Sequence, residues 1–277
     1  MSIKLFTLDT PVPHEIIQMP GGEYHTTADA GGHYKDIKCM LDIRGALPDD
    51  LISMLIMADA IHRDGGVVSA YIPYLPGARQ DRRKPGEALS SKVYADLINS
   101  CGFKRVFCVD PHSDVMPALI NNCVVHSIYS VINVPHNEFV GIIAPDAGAA
   151  KRANEAAMLY QLPVYQALKK RDSATGRLSN FTCETLPSEG KLLVVDDICD
   201  GGGTFLGLAK ATGLPKERLA LWVTHGIFSG QAANLKNFYS AIYTTNSHPG
   251  KIDVTYDHEF MKILTRHELR FNMIGNS

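Results

Sequence analysis

The chain has 277 residues, of which 45% are hydrophobic and 20% charged, with a formal net charge of -2 and a pI near 6.6. That composition buries ample core in one large or two middling domains, and its near balance of charge excludes a general nucleic-acid binder, which carries a basic surplus. Six scattered cysteines with no C-x-x-C pair, an N-terminal stretch carrying Lys4, Asp9 and two prolines, and no apolar run near the roughly 20 residues of a membrane span predict a cytoplasmic protein with reduced thiols and no membrane partner.

Residues 3–8 form a short apolar run that predicts a first strand, followed by a turn-rich 9–13. Met19-Pro20-Gly21-Gly22-Glu23 is a tight turn before 24–27, and 37–43 predicts a strand ending in Arg44-Gly45. Across 48–63 the apolar residues Leu51, Ile52, Leu55, Ile56, Ala58 and Ile61 recur at helical spacing, with Asp49 and Asp50 favourable at the N-terminus. The strand expected over 67–74 runs into the most charged loop of the chain, which contains Arg79, Gln80, Asp81, Arg82, Arg83 and Lys84. Ser90 and Ser91 are placed to cap a helix reaching Asn99, and a strand over 105–109 then delivers Asp110-Pro111-His112.

The second half repeats this grammar. A strand over 140–144 is tipped by Pro145-Asp146-Ala147-Gly148, and the alanine-rich 149–159 predicts a helix. Lys169-Lys170-Arg171 heads a polar stretch, 172–184, whose lack of hydrophobic period predicts a mobile loop or hairpin. Helix 205–212, strand 219–224 with His225-Gly226 at its tip, and strand 241–245 before Asn246 complete the pattern. Strand, polar tip and helix in repetition describe parallel sheets whose ligands gather at the carboxyl ends of strands. Two similar α/β halves are expected, divided as residues 1–138 and 139–277.

The most informative stretch lies between these elements. Leu192-Leu193-Val194-Val195 reads as a strand buried on both faces, and it ends in Asp196-Asp197-Ile198-Cys199-Asp200-Gly201-Gly202-Gly203-Thr204. The glycines bring bare N–H groups to the start of a helix, where the macrodipole also favours an anion. Asp196 and Asp197 stand just upstream, suited to accept hydrogen bonds from sugar hydroxyls or to hold a divalent cation. The stretch is neither a dinucleotide fingerprint nor a lysine-bearing P-loop, and it points to a sugar phosphate.

It resembles the phosphoribosyl-pyrophosphate loop of the type I phosphoribosyltransferase fold. The order of the other tips extends the resemblance over most of the chain, to the ribose-phosphate pyrophosphokinase family. Tyr71-Ile72-Pro73-Tyr74 with Ala78 to Arg82, Gly86-Glu87 and Ser91-Lys92 is similar to that family's ATP-binding segment. Val109 to His112 is similar to its metal-site histidine motif, Ala144 to Gly148 to its second-metal aspartate, and Lys169 to Arg171 to the head of its catalytic loop.

The resemblance implies an α/β fold of two similar type I phosphoribosyltransferase-like domains with mostly parallel sheets. The implied reaction transfers the β,γ-diphosphate of ATP to the anomeric hydroxyl of a ribose 5-phosphate. Arg79, Gln80, Asp81, His112 and a subunit-borrowed Glu23 would bind ATP, and His112 and Asp146 would serve Mg²⁺. Lys169, Arg171 and His112 would be catalytic. Asp196, Asp197, Asp200, Gly201, Gly202, Gly203 and Thr204 would hold the ribose phosphate. A homo-oligomer is implied, because Glu23 belongs to the segment that reaches a neighbour's adenine.

Three departures qualify these expectations. Met19-Pro20-Gly21-Gly22-Glu23 lacks the family's adenine-stacking aromatic. Gly201 replaces a threonine, which removes a hydroxyl and opens space beside the 5-phosphate, as ADP-ribose would require. The chain is also shorter than usual, which implies trimmed regulatory loops and likeness to short phage enzymes that pyrophosphorylate ADP-ribose for NAD recovery. Ordinary readings stand beside these: Asp146 as a helix cap, 169–171 as a helix-end charge cluster, and Arg79 to Lys84 as a solvated loop. A phosphoribosyltransferase and a non-catalytic regulatory homologue are the alternative functions.

Overall fold

The computed structural model describes residues 3–7, 10–28, 34–35, 37–171, 178–249 and 261–264, the stretches 169–171, 178–181 and 261–264 as backbone only. The chain divides into two compact units, one running to His126 and the other from Ser127 to 265. The sequence places the boundary at 138/139 instead. The earlier division follows from burial: Ile128, Val131, Ile132 and Val134 are apolar and enclosed, and the 3-10 turn Ile128–Ser130 packs on a helix of the second unit.

In the first unit, β1 (Ile3–Thr7) pairs antiparallel with β2 (Thr10–Pro11) and, on its other side, with β5 (Lys38–Ile43). Between them β3 (His14–Gln18) and β4 (Tyr24–Ala28) make a separate hairpin turning at Met19 to Glu23. Helix α1 (Pro48–Arg63) leads to β6 (Val67–Tyr71), α2 (Ser90–Ser100) to β7 (Val106–Val109), and the short α3 (Val115–Leu119) to β8 (Cys123–His126). The six-stranded sheet has the order β2-β1-β5-β6-β7-β8, with β5 to β8 parallel. Met54, Met57, Ala58 and Ile61 of α1 recur on one helical stripe and are buried in the core with Leu41, Val68 and Ala70 of the sheet. The expected caps on α2 do not form: Leu89 is the capping residue, and the buried Ser91 hydroxyl has no hydrogen-bond partner among the described residues.

In the second unit, β9 (Phe139–Ala144), α4 (Ala150–Tyr160) and β10 (Val164–Arg171) form a parallel βαβ unit. Of the stretch expected to be a loop or hairpin, 172–177 lie outside the described residues, and β11 (Leu178–Cys183) pairs antiparallel with β10. Then follow β12 (Lys191–Cys199), α5 (Gly203–Thr212), β13 (Leu219–Gly226), β14 (Ala241–Thr245) and β15 (Met261–Leu264). The seven strands lie in the order β11-β10-β9-β12-β13-β14-β15, and all pairings except β10 with β11 are parallel. From β9 the chain steps outward to β10 and later returns to β9's other side as β12. That reversal opens a crevice at the carboxyl ends of β9 and β12, where doubly wound sheets bind ligands. Leu192, Leu193, Val194 and Val195 are fully buried, the consequence of helices or turns covering both faces. Among the described residues, no helix is long and apolar enough to cross a membrane.

Candidate active site

The crevice of the second unit gathers three predicted acids. Asp146 follows β9, and Asp196 and Asp197 end the buried run of β12. Successive strand residues point to opposite faces, so the two neighbours on β12 have different surroundings. Asp197 is 4% exposed and lies on the α4 face, where Arg152 reaches its Oδ2 at 3.4 Å. Asp196 is partly exposed, and its Oδ1 accepts the Asp197 backbone N–H at 2.9 Å. The Asp196 carboxyl is held well above the usual carboxylate range, first by desolvation, then by the charge and hydrogen bonding of Asp197, with Asp146 adding to the crowding.

Such crowding of hard oxygen donors fits a divalent cation of the magnesium type. Among the described residues, no group of three or more His, Cys, Asp or Glu is disposed to hold a metal ion. Mg²⁺, which keeps most of its water and takes one or two carboxylates along with phosphate oxygens, is the kind of ion these acids would suit. Asp146 also has the ordinary role: its Oδ1 accepts the N–H groups of Gly148 and Ala149 at 2.9 and 3.2 Å, capping the turn before α4. Capping aims the carboxylate without preventing it from meeting a cation.

The glycine run after β12 makes an open cup at the start of α5. Gly202 takes φ +76° as the residue before α5, and the Leu206 N–H closes the first helical bond on its carbonyl at 2.9 Å. The helix therefore presents its first-turn N–H groups and positive dipole end toward the cup. Thr204 stands in that first turn, and Gly203 is exposed at its start. A Cβ on Gly201 would meet nothing within 4 Å, so the position is open. Asp200 braces the cup: its Oδ1 accepts the Ser229 hydroxyl at 2.6 Å and its carbonyl accepts the Ser229 N–H at 3.0 Å.

Two further ties stiffen the strand ends. The buried His225 shares a 2.7 Å hydrogen bond with the Ser247 hydroxyl, which donates to the Thr224 carbonyl at 3.1 Å. Thr245 also donates to that carbonyl, at 2.7 Å. These bonds join the ends of β13 and β14 beside the acid pair.

In the first unit, Ile72, Leu75 and Ala78 bury the base of the loop after β6, while Arg79, Gln80, Arg82, Arg83 and Lys84 stand in solvent. Asp81 accepts the Ser113 hydroxyl at 2.7 Å, which brings the Arg79 to Asp81 loop to the segment carrying the exposed His112. Upstream, Asp110 is buried with φ +39°, an uncommon conformation for a residue with a side chain, and its N–H bonds the His126 carbonyl at 2.7 Å. Glu23 is exposed at the turn of the separate β3–β4 hairpin.

Lys169 and Arg171 lie near the end of β10, with Lys169 opposite Phe181 in the hairpin, and their side chains fall outside the described residues. Sequence reasoning missed Arg152, Ser113 and Ser229. Only Arg152 left a readable signal: with Ala149, Ala153, Ala156 and Ala157 it completes a helical stripe that is otherwise alanine and buried. An arginine on such a stripe must have a buried partner.

Two α/β units with mostly parallel sheets, one carrying acids and a glycine run at its strand-order reversal, define the class of doubly wound α/β proteins that take ligands at the carboxyl ends of their strands. A sequence-family model for the N-terminal domain of ribose phosphate pyrophosphokinase matches residues 9–102. Relatives named ribose-phosphate pyrophosphokinase include one from Mycoplasma pneumoniae, 31% identical over 76% of this chain and 67% of its own length. Another, from Aquifex aeolicus, is 32% identical over 77% of this chain and 70% of its own. One from Cereibacter sphaeroides is 32% identical over 72% and 63%. The chain belongs to the ribose-phosphate pyrophosphokinase family, and it spans about two thirds of the length of these relatives. In fold it is similar to a solved phosphoribosylpyrophosphate synthetase from Mycobacterium smegmatis, with a TM-score of 0.81 and 23% identity over 97% of this chain and 91% of that one.

Proposed function

We propose that this protein is a diphosphokinase that transfers the β,γ-diphosphate of ATP to the anomeric hydroxyl of a ribose 5-phosphate and releases AMP. The observation that carries the reading is the acid pair and glycine cup at the β9/β12 crevice, in a chain of this family. The anomeric oxygen attacks the β-phosphorus in line, and AMP leaves with the bridging oxygen and its electron pair. Asp196 and Asp197 orient the ribose hydroxyls, and the α5 N-terminus with Gly201, Gly202, Gly203 and Thr204 receives the 5-phosphate. Arg79, Gln80 and Asp81 bind ATP, and Lys169 and Arg171 stabilise charge on the transferred group. His112 and Asp146 are the residues for Mg²⁺, which when bound neutralises phosphate charge. Glu23 completes the ATP site of a neighbouring copy in a homo-oligomer, and a fully active monomer in light scattering would contradict that assignment.

Within this reading the acceptor is ADP-ribose or free ribose 5-phosphate, and the open space at Gly201 favours the larger one. The deciding assay is AMP release from ATP with Mg²⁺ and each acceptor supplied separately, with products identified by mass. Absence of AMP with both would sink the diphosphokinase reading, and base-dependent consumption of phosphoribosyl pyrophosphate would replace it with a transferase. Gly201→Thr is expected to fold normally, to impair ADP-ribose turnover about tenfold, and to spare ribose 5-phosphate. Equal effects on both acceptors would remove Gly201 from the specificity argument.

Ser113→Ala removes the tie between the ATP loop and the His112 segment. It is expected to raise KM for ATP by roughly three- to tenfold, the worth of one ordinary hydrogen bond, with the acceptor KM unchanged. Steady-state kinetics with each substrate varied in turn checks this.

A further inference from the structure

The diphosphokinase reading leaves the buried Arg152 without a role. Its Nη2 lies 3.4 Å from Asp197 Oδ2, and its Nη1 lies 3.4 Å from the Gly148 carbonyl. Both side chains are enclosed, at 9% and 6% exposure. Gly148 in turn donates its N–H to Asp146 Oδ1. One guanidinium therefore reaches both strand tips that flank the crevice, the turn after β9 and the acid pair of β12. A lysine at this position could place a charge near Asp197, but its single ammonium lacks the planar fork that serves two acceptors at fixed angles.

We infer that Arg152 is a positioning residue for the acceptor sugar: anchored on the Gly148 carbonyl, it fixes Asp197, so that the strand end bearing the acid pair is aimed at the ribose hydroxyls. The inference rests on the ribose-phosphate assignment of this crevice. Arg152 itself sits below the surface, 8% exposed. Asp197 is enclosed by this contact, whereas Asp196 reaches the surface, so the aspartates divide the work. Asp196 presents the more accessible carboxylate to the ribose hydroxyls, and Asp197 orients them by fixing the strand end that carries both acids. A purely structural ion pair would affect stability and leave the choice of ligand alone, which separates the two roles.

The test is calorimetric binding of ribose 5-phosphate, ADP-ribose and ATP, each with Mg²⁺, to the wild type, R152K, D197N and R152K/D197N. R152K keeps a buried counter-charge for Asp197, so no charge is left unpaired. It is expected to weaken binding of the sugar phosphates about tenfold and to change ATP affinity by less than about twofold. The same lysine change is expected to cost little more in the D197N background, because Arg152 acts through Asp197. Unchanged sugar-phosphate affinity in R152K, equal weakening of ATP, or a full additional loss in R152K/D197N would each overturn the inference. R152M/D197N, which removes both charges, is expected to bind ribose 5-phosphate no more weakly than D197N, and a further loss overturns the inference even if R152K does not fold. Wild-type protein that releases no AMP with either acceptor defeats the diphosphokinase reading, while these affinities judge Arg152 on binding alone.

Discussion

Asp196→Asn is expected to cut turnover by about 10²-fold while stabilising the ligand-free protein near neutral pH. The two effects have one cause. Asp196 is desolvated and crowded by Asp197 and Asp146, so its folded-state pKa stands well above the ordinary value of 3.8. A carboxyl raised in this way binds its proton more tightly when folded, so ionisation opposes folding. At pH below the ordinary value both states are protonated and the group costs nothing. As pH rises from there through the folded pKa, the wild type progressively loses stability, and above the folded pKa it bears the full cost. Asparagine has no such cost, so the gap between variant and wild type should be absent in acid and grow toward neutral pH. Chemical unfolding of both proteins from about pH 4 to pH 7.5 reads this directly, beside an AMP-release assay at neutral pH. An asparagine variant that is less stable at neutral pH would mean that the carboxylate is held by partners that outweigh its crowding. Added Mg²⁺ and acceptor should narrow the gap, because a cation or sugar hydroxyls stabilise the charged form.

Gly202→Ala is expected to disable the cup, and Gly201→Ala to leave it nearly intact. Gly202 holds φ +76°, and a Cβ there would come within 3.0 Å of the Ala232 backbone. The left-handed conformation costs a residue with a side chain roughly 1–2 kcal/mol, before the clash with a backbone atom that cannot swing away. The chain would relieve this by shifting the start of α5, which moves the N–H groups that receive the phosphate. Loss of stability of about 2 kcal/mol and a tenfold or greater loss of ribose 5-phosphate affinity are expected together, with ATP affinity retained. Gly201 has no such constraint, because its Cβ would meet open space. Its alanine variant should stay within about 0.5 kcal/mol of the wild type. Urea unfolding and calorimetric titration of the pair provide the comparison. Equal behaviour of the two variants would show that Gly202 is not what sets the cup.

Much of the fold was legible because its elements are locally coded. The helix expected over 48–63 is α1, with Pro48 at its start and acids in its first turn. The aliphatic run Leu192 to Val195 could only be a strand covered on both faces, and the repetition of strand, polar tip and helix fits parallel sheets alone. β8 was missed because four residues with one polar member carry no period long enough to read. The serine caps of α2 failed because the carbonyl of Gln80 engages the Ser91 N–H at 3.3 Å and draws the helix entry into the preceding loop. Such long-range ties are invisible in local propensity.

The candidate site divides in the same way. By itself the sequence determined the family, the acids and glycines that end β12, and the charged loop after β6, because residue types and spacings within one segment set what that segment can bind. Only the tertiary structure decided that β9 and β12 are neighbours, that Asp197 is enclosed against Arg152 while Asp196 reaches the surface, and that Ser113 joins Asp81. Those relations depend on strand order and on which face of a sheet a helix covers, and the free energy that selects them comes from burial summed over residues far apart in the chain.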